Sequence, residues 1–372
     1  MRSPMDENTY LGFYTSTVLG CSKAVINNIC LKLMAERMIV CDSQIAMEDL
    51  PDAVYFENKR DQKRIITETT SSIRFAGFYE EWEFSKLYKY SVPLFYELHP
   101  SKDLKTLFVT KGVKQFEKGK YSPIMVLNTT LRESDPMFWE HEGKLYIKFV
   151  LQKSYYKEEP FEQVDYRYPV VLFFDPDRAA IEIRYDAVRY SSEIVATGGY
   201  DVLVEECIKW MQEYLGLELF KCEHKAFIPT INDKNNSEVI IYRQMMEMSS
   251  GGSAELTASE GRDYCLPFIG EIRELIEENG AMFDDAEDIK SLLLNYLADK
   301  EATANYPYVY VKWVEPVESQ SYVVKVTFDY LKQKYTLLQH ITGMCKDLGM
   351  RRMNNAIQYL CDHGSFVKGE KV

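Results

Sequence analysis

Residues 137–185 read MFWEHEGKLYIKFVLQKSYYKEEPFEQVDYRYPVVLFFDPDRAAIEIRY, and two turn sequences divide this stretch into strands. The first turn is HEGK at 141–144, and the second is DPDR at 175–178. Gly, Pro and Asp favour tight turns because they tolerate or preset the backbone angles that a turn requires. The apolar runs beside these turns are Met137–Glu140, Leu145–Leu151, Pro169–Phe174 and Ala180–Tyr185. The stretch therefore predicts two antiparallel β-hairpins.

A helix is predicted directly after this meander of strands. Its apolar residues recur at spacings of three and four from Asp201 onward, which is the period of one helical face. They are Val204, Cys207, Ile208, Met211 and Leu215. Gly216 follows as the residue that ends the helix, because glycine readily takes the left-handed conformation found there. We expect residues 122–248 to form a module in which one helix packs on a strand meander.

The N-terminal residues 1–121 predict a mixed α/β module. Ser22 is placed as the N-cap of an amphipathic helix whose buried face carries apolar residues at helical spacing, with Val25, Ile29 and Leu33 among them. Three short runs after this helix contain β-branched and aromatic residues, which favour strands. These runs are Ala53–Phe56, Ser72–Phe78 and Thr106–Val109.

A Ser- and Gly-rich stretch, SSGGSAELTASEG at 249–261, predicts a flexible linker or loop before the last module, residues 262–372. This module begins with two amphipathic helices, one carrying Ile269, Ile272, Leu275 and Ile276 and the next carrying Ile289, Leu292, Leu293, Tyr296 and Leu297. A hairpin of Tyr308–Val314 and Tyr322–Phe328 follows. The fold class predicted for the whole chain is α+β, with several modules built from antiparallel meanders and amphipathic helices.

Composition excludes several classes of protein. Hydrophobic residues make up 46% of the 372-residue chain, which is too many for an intrinsically disordered protein. The first residues carry Asp6, Glu7 and Asn8 where a signal peptide would be apolar, and the longest purely apolar run is Val170–Phe174, far below the roughly 20 residues of a membrane span. The eight cysteines form no CxxC pair. These features predict a cytoplasmic protein with reduced thiols and no membrane partner.

Motifs for catalysis and cofactor binding are absent from the sequence, so no catalytic residue, cofactor or metal site is predicted. Gly112 to Lys120 has glycines and a GK pair, but six residues separate the glycines where a phosphate-binding loop has four. The enzyme alternative is a metal-dependent phosphodiesterase or nuclease that uses Asp52 and Glu57. Pro51-Asp52 and Glu57-Asn58-Lys59 resemble the PD-(D/E)xK metal site in residue type, although their spacing leaves little room for two neighbouring strands.

Positive charge is gathered into three segments, although the chain as a whole carries a net charge of −13. Such clusters are typical of surfaces that contact the phosphates of a nucleic acid. The basic residues predicted to do so in the first two segments are Lys59, Arg60, Lys63, Arg64, Lys102, Lys105, Lys111, Lys114, Lys118 and Lys120. By contrast, Glu271 to Glu301 contains ten acidic and three basic residues, which favours a basic partner for that stretch.

The third basic segment lies on a predicted C-terminal helix pair. Apolar residues from Leu337 to Leu348 mark one helix, Gly349 supplies a turn, and Met350, Met353, Ile357 and Leu360 mark the second. A short basic strand follows Gly364. Helix, turn, helix and basic wing resemble the end of a winged-helix domain. The resemblance implies that Arg351, Asn354, Asn355 and Gln358 face base edges and that Lys368 and Lys371 meet phosphates. Arg352 is also predicted to bind nucleic acid.

These patterns together favour a binding function over a catalytic one. The leading prediction is a non-catalytic binding or accessory subunit that contacts nucleic acid, a partner protein or both through its basic segments. The partner protein would belong to a multi-subunit complex. A winged helix also serves protein contacts in many proteins, so both kinds of partner stay open for the C-terminal segment.

Overall fold

The computed structural model describes residues 4–41, 50, 52–98, 103–123, 125–157, 161–189, 199–224, 226–231, 238–247, 252–257, 267–303, 305–314, 322–330, 335–341 and 349–372. The helices are α1 (Glu7–Leu19), α2 (Lys23–Ala35), α3 (Gln62–Thr70), α4 (Ala76–Ser85), α5 (Leu104–Thr110), α6 (Gly199–Trp210), α7 (Phe227–Ile231), α8 (Pro267–Glu278), α9 (Glu287–Thr303) and α10 (Arg351–Asp362).

The strands are as short as two residues and as long as fourteen. They are β1 (Ile39–Val40), β2 (Val54–Tyr55), β3 (Tyr90–Glu97), β4 (Lys114–Gln115), β5 (Met137–His141), β6 (Lys144–Lys157), β7 (Glu162–Asp175), β8 (Ala180–Tyr185), β9 (Glu218–Glu223), β10 (Val239–Glu247), β11 (Ser253–Thr257), β12 (Tyr308–Trp313), β13 (Tyr322–Asp329), β14 (Tyr335–Ile341) and β15 (Val367–Lys371). Helices and mostly antiparallel strands together confirm the α+β class.

The chain divides into two compact units. The first unit comprises Met1–Leu87, Glu97–Leu217 and Leu348–Met350, and the second comprises Tyr88–Tyr96, Glu218–Asp347 and Arg351–Val372. These units do not coincide with the three predicted modules, because the predicted boundary at Tyr121 lies inside the first unit. Each unit therefore contains segments that are distant in the sequence.

The sheet of the first unit confirms both predicted hairpins. Strands β5, β6, β7 and β8 pair in antiparallel order, and β4 joins β5 in parallel. The first hairpin turns through Glu142 and Gly143, whose φ angles are 50° and 73°. Glycine takes such positive φ angles without steric cost, which is why the HEGK sequence suits this tight turn. The predicted helix after the meander is also present as α6, and Gly216 follows a turn of π-helix with a φ of 73°.

Helices α1 to α4 supply the hydrophobic core of the first unit. Ser22 caps α2 as predicted, since its side chain accepts a hydrogen bond from the Val25 amide. Ile29 and Leu33 on α2 are fully buried, and they pack in one cluster with Ile65 and Ile66 of α3 and with residues of α1 and α4. The amphipathic pattern of α2 thus predicts correctly that Ile29 and Leu33 are buried.

Two strand predictions in the first unit are wrong. Ser72–Phe78 contains a turn of 3-10 helix and the start of α4, and Thr106–Val109 lies in α5. Asp103 caps α5 by accepting a hydrogen bond of 2.9 Å from the Thr106 amide. β-branched and aromatic residues favour strands only weakly, and here burial at helical spacing decides the conformation. The predicted strand Ala53–Phe56 is confirmed as the short β2, which pairs in parallel with β1.

The second unit contains a sheet in the strand order β11, β10, β12, β13, β14, β3. The predicted hairpin is present as β12 and β13, and both predicted amphipathic helices are present as α8 and α9. The face that carries Val309, Val311 and Trp313 is buried, and the Trp313 ring contacts Tyr359 of α10. The alternate residues of β12 lie on the opposite face, which we call the tyrosine face.

Two further predictions in the second unit need correction. The helix predicted from Leu337 is wrong over Leu337–Ile341, which belongs to strand β14 and pairs with β13 on one side and β3 on the other. The rest of that predicted helix lies outside the described residues. Within the predicted linker, Ser253–Thr257 form β11, because β10 offers a strand edge whose backbone groups they satisfy. Helix α10 and the following strand β15 match the prediction.

Among the described residues, no single helix is long and apolar enough to cross a bilayer. Helices α1 and α2 reach the required length and composition only as a pair, and their axes bend by 119° at the break between them.

A buried network of charges lies at the centre of the first unit. Arg167 of β7 donates hydrogen bonds to Glu80 and Glu83 of α4, with nitrogen-to-oxygen distances of 2.7 Å to each carboxylate. Lys148 of β6 binds the same two carboxylates and donates a 2.9 Å hydrogen bond to the Glu80 carbonyl. The Arg167 guanidinium also lies 4.0 Å from the centre of the Tyr14 ring of α1. Two helices and two strands therefore meet through one set of polar contacts.

Burial makes this network sensitive to the loss of any member. Taking four charges out of water is costly, and only complete pairing and hydrogen bonding offset the cost. Glu80 accepts hydrogen bonds from the hydroxyls of Tyr14 and Tyr121 as well as from the two cations. Burial alone would raise the pKa of Glu80, but Arg167 and Lys148 outweigh it and lower that pKa to about 2.

We predict that Arg167→Met destabilises the first unit by about 3–5 kcal/mol, because the two buried carboxylates lose one of their two cation partners and keep only Lys148. Arg64→Met is the matched control, since the Arg64–Glu68 pair has the same 2.7 Å distance but the Arg64 side chain is 57% exposed rather than 1% for Arg167. The control should lose at most about 0.5 kcal/mol. Urea unfolding followed by tryptophan fluorescence measures both, and equal effects would contradict a structural role for the network.

The network should also make stability depend on pH in the acid range. The pKa of Glu80 falls from its ordinary value of 4.5 to about 2 on folding. The stabilisation from this shift is complete above pH 4.5, is lost as the pH falls through 2, and amounts to roughly 3 kcal/mol. In urea unfolding at a series of pH values, Glu80→Gln should be less stable than the unsubstituted protein near pH 6, and the difference should shrink toward pH 2. A difference independent of pH would be inconsistent with this assignment.

Candidate nucleic-acid interface

The first basic segment lies on the surface of the first unit at the start of α3. Lys59, Arg60 and Lys63 are exposed, and they form no ion pair with any residue in the described part of the chain. Arg64 is exposed too, but its guanidinium pairs with Glu68 one turn further along the helix. Three cations of this segment are therefore open to an anionic ligand.

The second basic segment is largely neutralised by neighbouring carboxylates. Lys102 lies outside the described residues. Four of the other lysines form ion pairs of 2.6–2.8 Å: Lys105 with Glu140, Lys114 with Asp135, Lys118 with Glu81, and Lys120 with Glu117. Lys111 differs, because its ammonium lies 5.9 Å from the centre of the Tyr214 ring. The charge that the sequence shows here is mostly paired within the fold.

The third basic segment belongs to the second unit. Arg351 and Asn355 are exposed on α10, whereas Gln358 is half-buried. Arg352 lies over the Tyr322 ring at 5.8 Å. On strand β15, the Lys368 ammonium lies 3.8 Å from the centre of the Phe220 ring, and Lys371 forms a 2.9 Å ion pair with Glu218. Of the predicted base-reading residues, Arg351 and Asn355 are thus the most accessible.

A different group of aromatic and basic residues lies together on the tyrosine face of the second unit. Strand pairing places Arg243 of β10 beside Tyr310 of β12, Tyr310 beside Lys325 of β13, and Lys325 beside Gln339 of β14. Side chains directly opposite each other in neighbouring strands lie on the same face of a sheet. These four half-buried residues therefore form one row across four strands.

The contacts within this row and its neighbours bring cations onto aromatic rings. The Lys325 ammonium lies 3.7 Å from the centre of the Tyr308 ring and 5.5 Å from that of Tyr310. The Arg243 guanidinium lies 5.5 Å from the Tyr310 ring. Glu255 of β11 accepts a hydrogen bond from the Tyr308 hydroxyl and pairs with Arg243 at 3.2 Å. Both tyrosine rings therefore have a cation within about 6 Å of the ring centre, the range of cation–π attraction.

Local electrostatics are consistent with a partly desolvated lysine on this face. Burial lowers the pKa of Lys325, and the nearby Arg243 acts in the same direction, whereas Glu255 opposes the shift. Burial also raises the pKa of Tyr308 and of Tyr242. An anion that approached this face would lower the energy of the Lys325 ammonium and relieve its repulsion from Arg243.

Strand alternation is the signal by which the sequence could have revealed the tyrosine face. In Tyr308–Trp313 the residues Tyr308, Tyr310 and Lys312 alternate with apolar ones, so they must share a face once the segment is a strand. Their neighbours could not be found in this way. The register of β10 shifts by one residue between Ile241 and Arg243, and this bulge decides that Arg243 stands beside Tyr310.

The residues of the nuclease alternative do not form a recognisable metal site. Asp52 lies before β2 and Glu57 lies after it, and both side chains are exposed. Within the described parts of the chain, no group of three or more His, Cys, Asp or Glu residues could hold a metal ion. His340, predicted on a helix, is instead buried on β14 and hydrogen-bonds to Ser91 at 2.9 Å.

The chain was also compared with known proteins. No protein-family model, curated protein or solved structure matches it.

We predict that Asp52 and Glu57 support no hydrolysis of nucleic acid. Labelled single-stranded and double-stranded DNA and RNA would be incubated with the purified protein and magnesium or manganese, and no shortened products should appear. Glu68→Ala is the control for Glu57→Ala, because Glu68 is also an exposed carboxylate of this region. Cleavage that Glu57→Ala abolishes and Glu68→Ala retains would establish the enzyme alternative.

Proposed function

We propose that this chain is a non-catalytic binding protein for single-stranded nucleic acid, and that the tyrosine face of the second unit is the binding surface. The observation that carries the proposal is the position of the Lys325 ammonium 3.7 Å from the centre of the half-buried Tyr308 ring. Tyr310 and Arg243 extend the same arrangement along the sheet.

The chemistry of this face suits unpaired bases joined by phosphates. Aromatic rings on an open sheet stack with bases, and stacking is worth about 1–3 kcal/mol per base. Lysine and arginine between the rings attract phosphate oxygens. Because every base has an aromatic face, recognition through Tyr308 and Tyr310 would depend little on sequence.

A single strand fits this surface better than a duplex. Bases in a duplex are stacked on one another, so their faces are inaccessible to tyrosine rings. The net charge of −13 also repels the dense phosphate array of a double helix outside the basic patches. Bases that are already unpaired need no unstacking energy before they reach the rings.

The basic segments supply separate contacts in this proposal. Lys59, Arg60 and Lys63 would hold phosphates in a sequence-independent manner. In this proposal the winged-helix resemblance is limited to α10 and β15, since Leu337–Ile341 of the first predicted helix is a strand, and Arg351 and Asn355 would be its base-reading pair. They lie apart from the tyrosine face, because α10 packs against the opposite side of the sheet.

The proposal predicts that Tyr308→Ala and Tyr310→Ala each weaken binding of a labelled single-stranded oligonucleotide by about 5- to 100-fold, as loss of one stacked base requires. Fluorescence anisotropy at low salt measures the affinity. Tyr156→Ala is the matched control. Tyr156 is an exposed tyrosine of β6 whose ring stacks on Phe161, and no lysine of the described residues lies over that ring. Circular dichroism of each variant checks that the fold is retained.

Lysine substitution separates phosphate attraction from stacking. Lys325→Gln should make the slope of log affinity against log salt concentration shallower by about 0.7, which is the value for one neutralised phosphate contact on a single strand.

Arg351→Ala, Asn355→Ala and Lys368→Ala should leave single-strand affinity unchanged. If α10 reads bases, these substitutions should lower the affinity for a duplex. Binding that is preserved in both tyrosine variants, or duplex binding that exceeds single-strand binding, would overturn the proposal.

A further inference from the structure

Helix α9 carries two apolar surfaces, and the residues that the structure describes cover only one of them. Leu297 is buried and packs with Ile276 of α8 and Met246 of β10. A second set, Ile289, Leu292, Leu293 and Tyr296, follows the spacing i, i+3, i+4 and i+7. Leu292 is 68% exposed, Tyr296 58% and Ile289 55%. The exposed set forms one continuous stripe about two turns long.

An exposed stripe of this kind marks an interaction surface. Large apolar residues scattered singly on a surface are ordinary, but four at the spacing of one helical face form a contiguous patch. The same spacing is what an amphipathic helix uses to dock against another helix. Helix α9 therefore has the geometry to pack a further helix from outside its own unit.

Acidic residues surround the stripe and define the charge of its partner. Asp288 and Asp299 are exposed and lie on the same helical edge as Leu292, four residues before it and seven after it. The residues between α8 and α9 add the exposed carboxylates of Asp284 and Asp285, and Glu287 opens α9. The basic residues of α9 are Lys290 and Lys300, and Lys300 lies over the Tyr296 ring at 5.1 Å.

We infer that the stripe of α9 binds a basic amphipathic helix of a partner protein. Leucine-like side chains of the partner would cover Leu292 and Tyr296, while its lysines or arginines would meet Asp288 and Asp299. A second copy of this chain is a poor occupant, because pairing two α9 helices would place their carboxylates against each other. The inference does not rest on nucleic-acid binding, since none of these residues lies on the tyrosine face.

The probe for this inference is a labelled synthetic helix of leucine and lysine, with leucine at i, i+3, i+4 and i+7 and lysine elsewhere. A control peptide keeps the leucines and replaces every lysine by glutamate. Fluorescence anisotropy with the full chain should show saturable binding of the basic peptide and none of the acidic one. Binding of both peptides, or of neither, would overturn the inference.

Variants of the full chain locate the binding. Leu292→Ser combined with Tyr296→Ser should weaken the basic peptide about tenfold or more, because two apolar side chains lose their buried contact. Asp288→Asn with Asp299→Asn should weaken it less and should reduce the effect of salt. Met282→Ser is the control, since Met282 is 80% exposed but lies before α9 and off the stripe.

Sedimentation velocity distinguishes a second copy from a partner. The chain should sediment as the same species whether or not it carries the Leu292 and Tyr296 substitutions. A dimer that these substitutions convert to monomer would assign the stripe to self-association and overturn the inference. Loss of peptide binding in the Met282→Ser control would also overturn it, because the affinity would then not depend on the stripe.

Discussion

The contact of Arg167 with Glu80 and Glu83 is the interaction on which the first unit depends. Arg167 lies on the second long strand of the sheet, and the two carboxylates lie one turn apart on α4. Lys148, on the neighbouring strand, completes the pairing, and Tyr14 brings α1 into the same network. Because none of these charges can reach water, α1, α4, β6 and β7 must be in register with one another for the network to be satisfied.

The second unit is organised by a different constraint, which is the two-residue alternation of its strands. One face of β12 and β13 is filled with valines and packs against helices, so the alternate residues must occupy the other face. There the positions are taken by tyrosine, lysine, threonine and one valine, Val323. Burial of one face therefore concentrates aromatic and basic side chains on the other, and the proposed nucleic-acid surface is a consequence of how the core is built.

Charge has to be judged after folding, because neighbours in space change what a cluster can bind. The segment from Lys105 to Lys120 holds five lysines in the sequence, yet four of them pair with carboxylates in the structure. The acidic stretch around α9 shows the reverse. Asp284, Asp285, Glu287 and Asp288 remain exposed near an apolar stripe that the described residues leave exposed, and the proposed basic partner follows from this combination.

Local sequence determined the hairpins around Gly143 and Asp175, the helix caps at Ser22 and Gly216, and the amphipathic helices α2, α8 and α9. In each case the deciding feature lies within a few residues of sequence, either as the residue types of a turn or cap or as the spacing of apolar side chains along a helix. Only the tertiary structure decided that Thr106–Val109 is helical, that Leu337–Ile341 and Ser253–Thr257 are strands, and that Arg243, Tyr310 and Lys325 form one row. These outcomes depend on cross-strand partners, burial and a bulge in β10, which join residues far apart in the chain, so local signals such as the Asp103 cap or strand alternation were not enough to decide them.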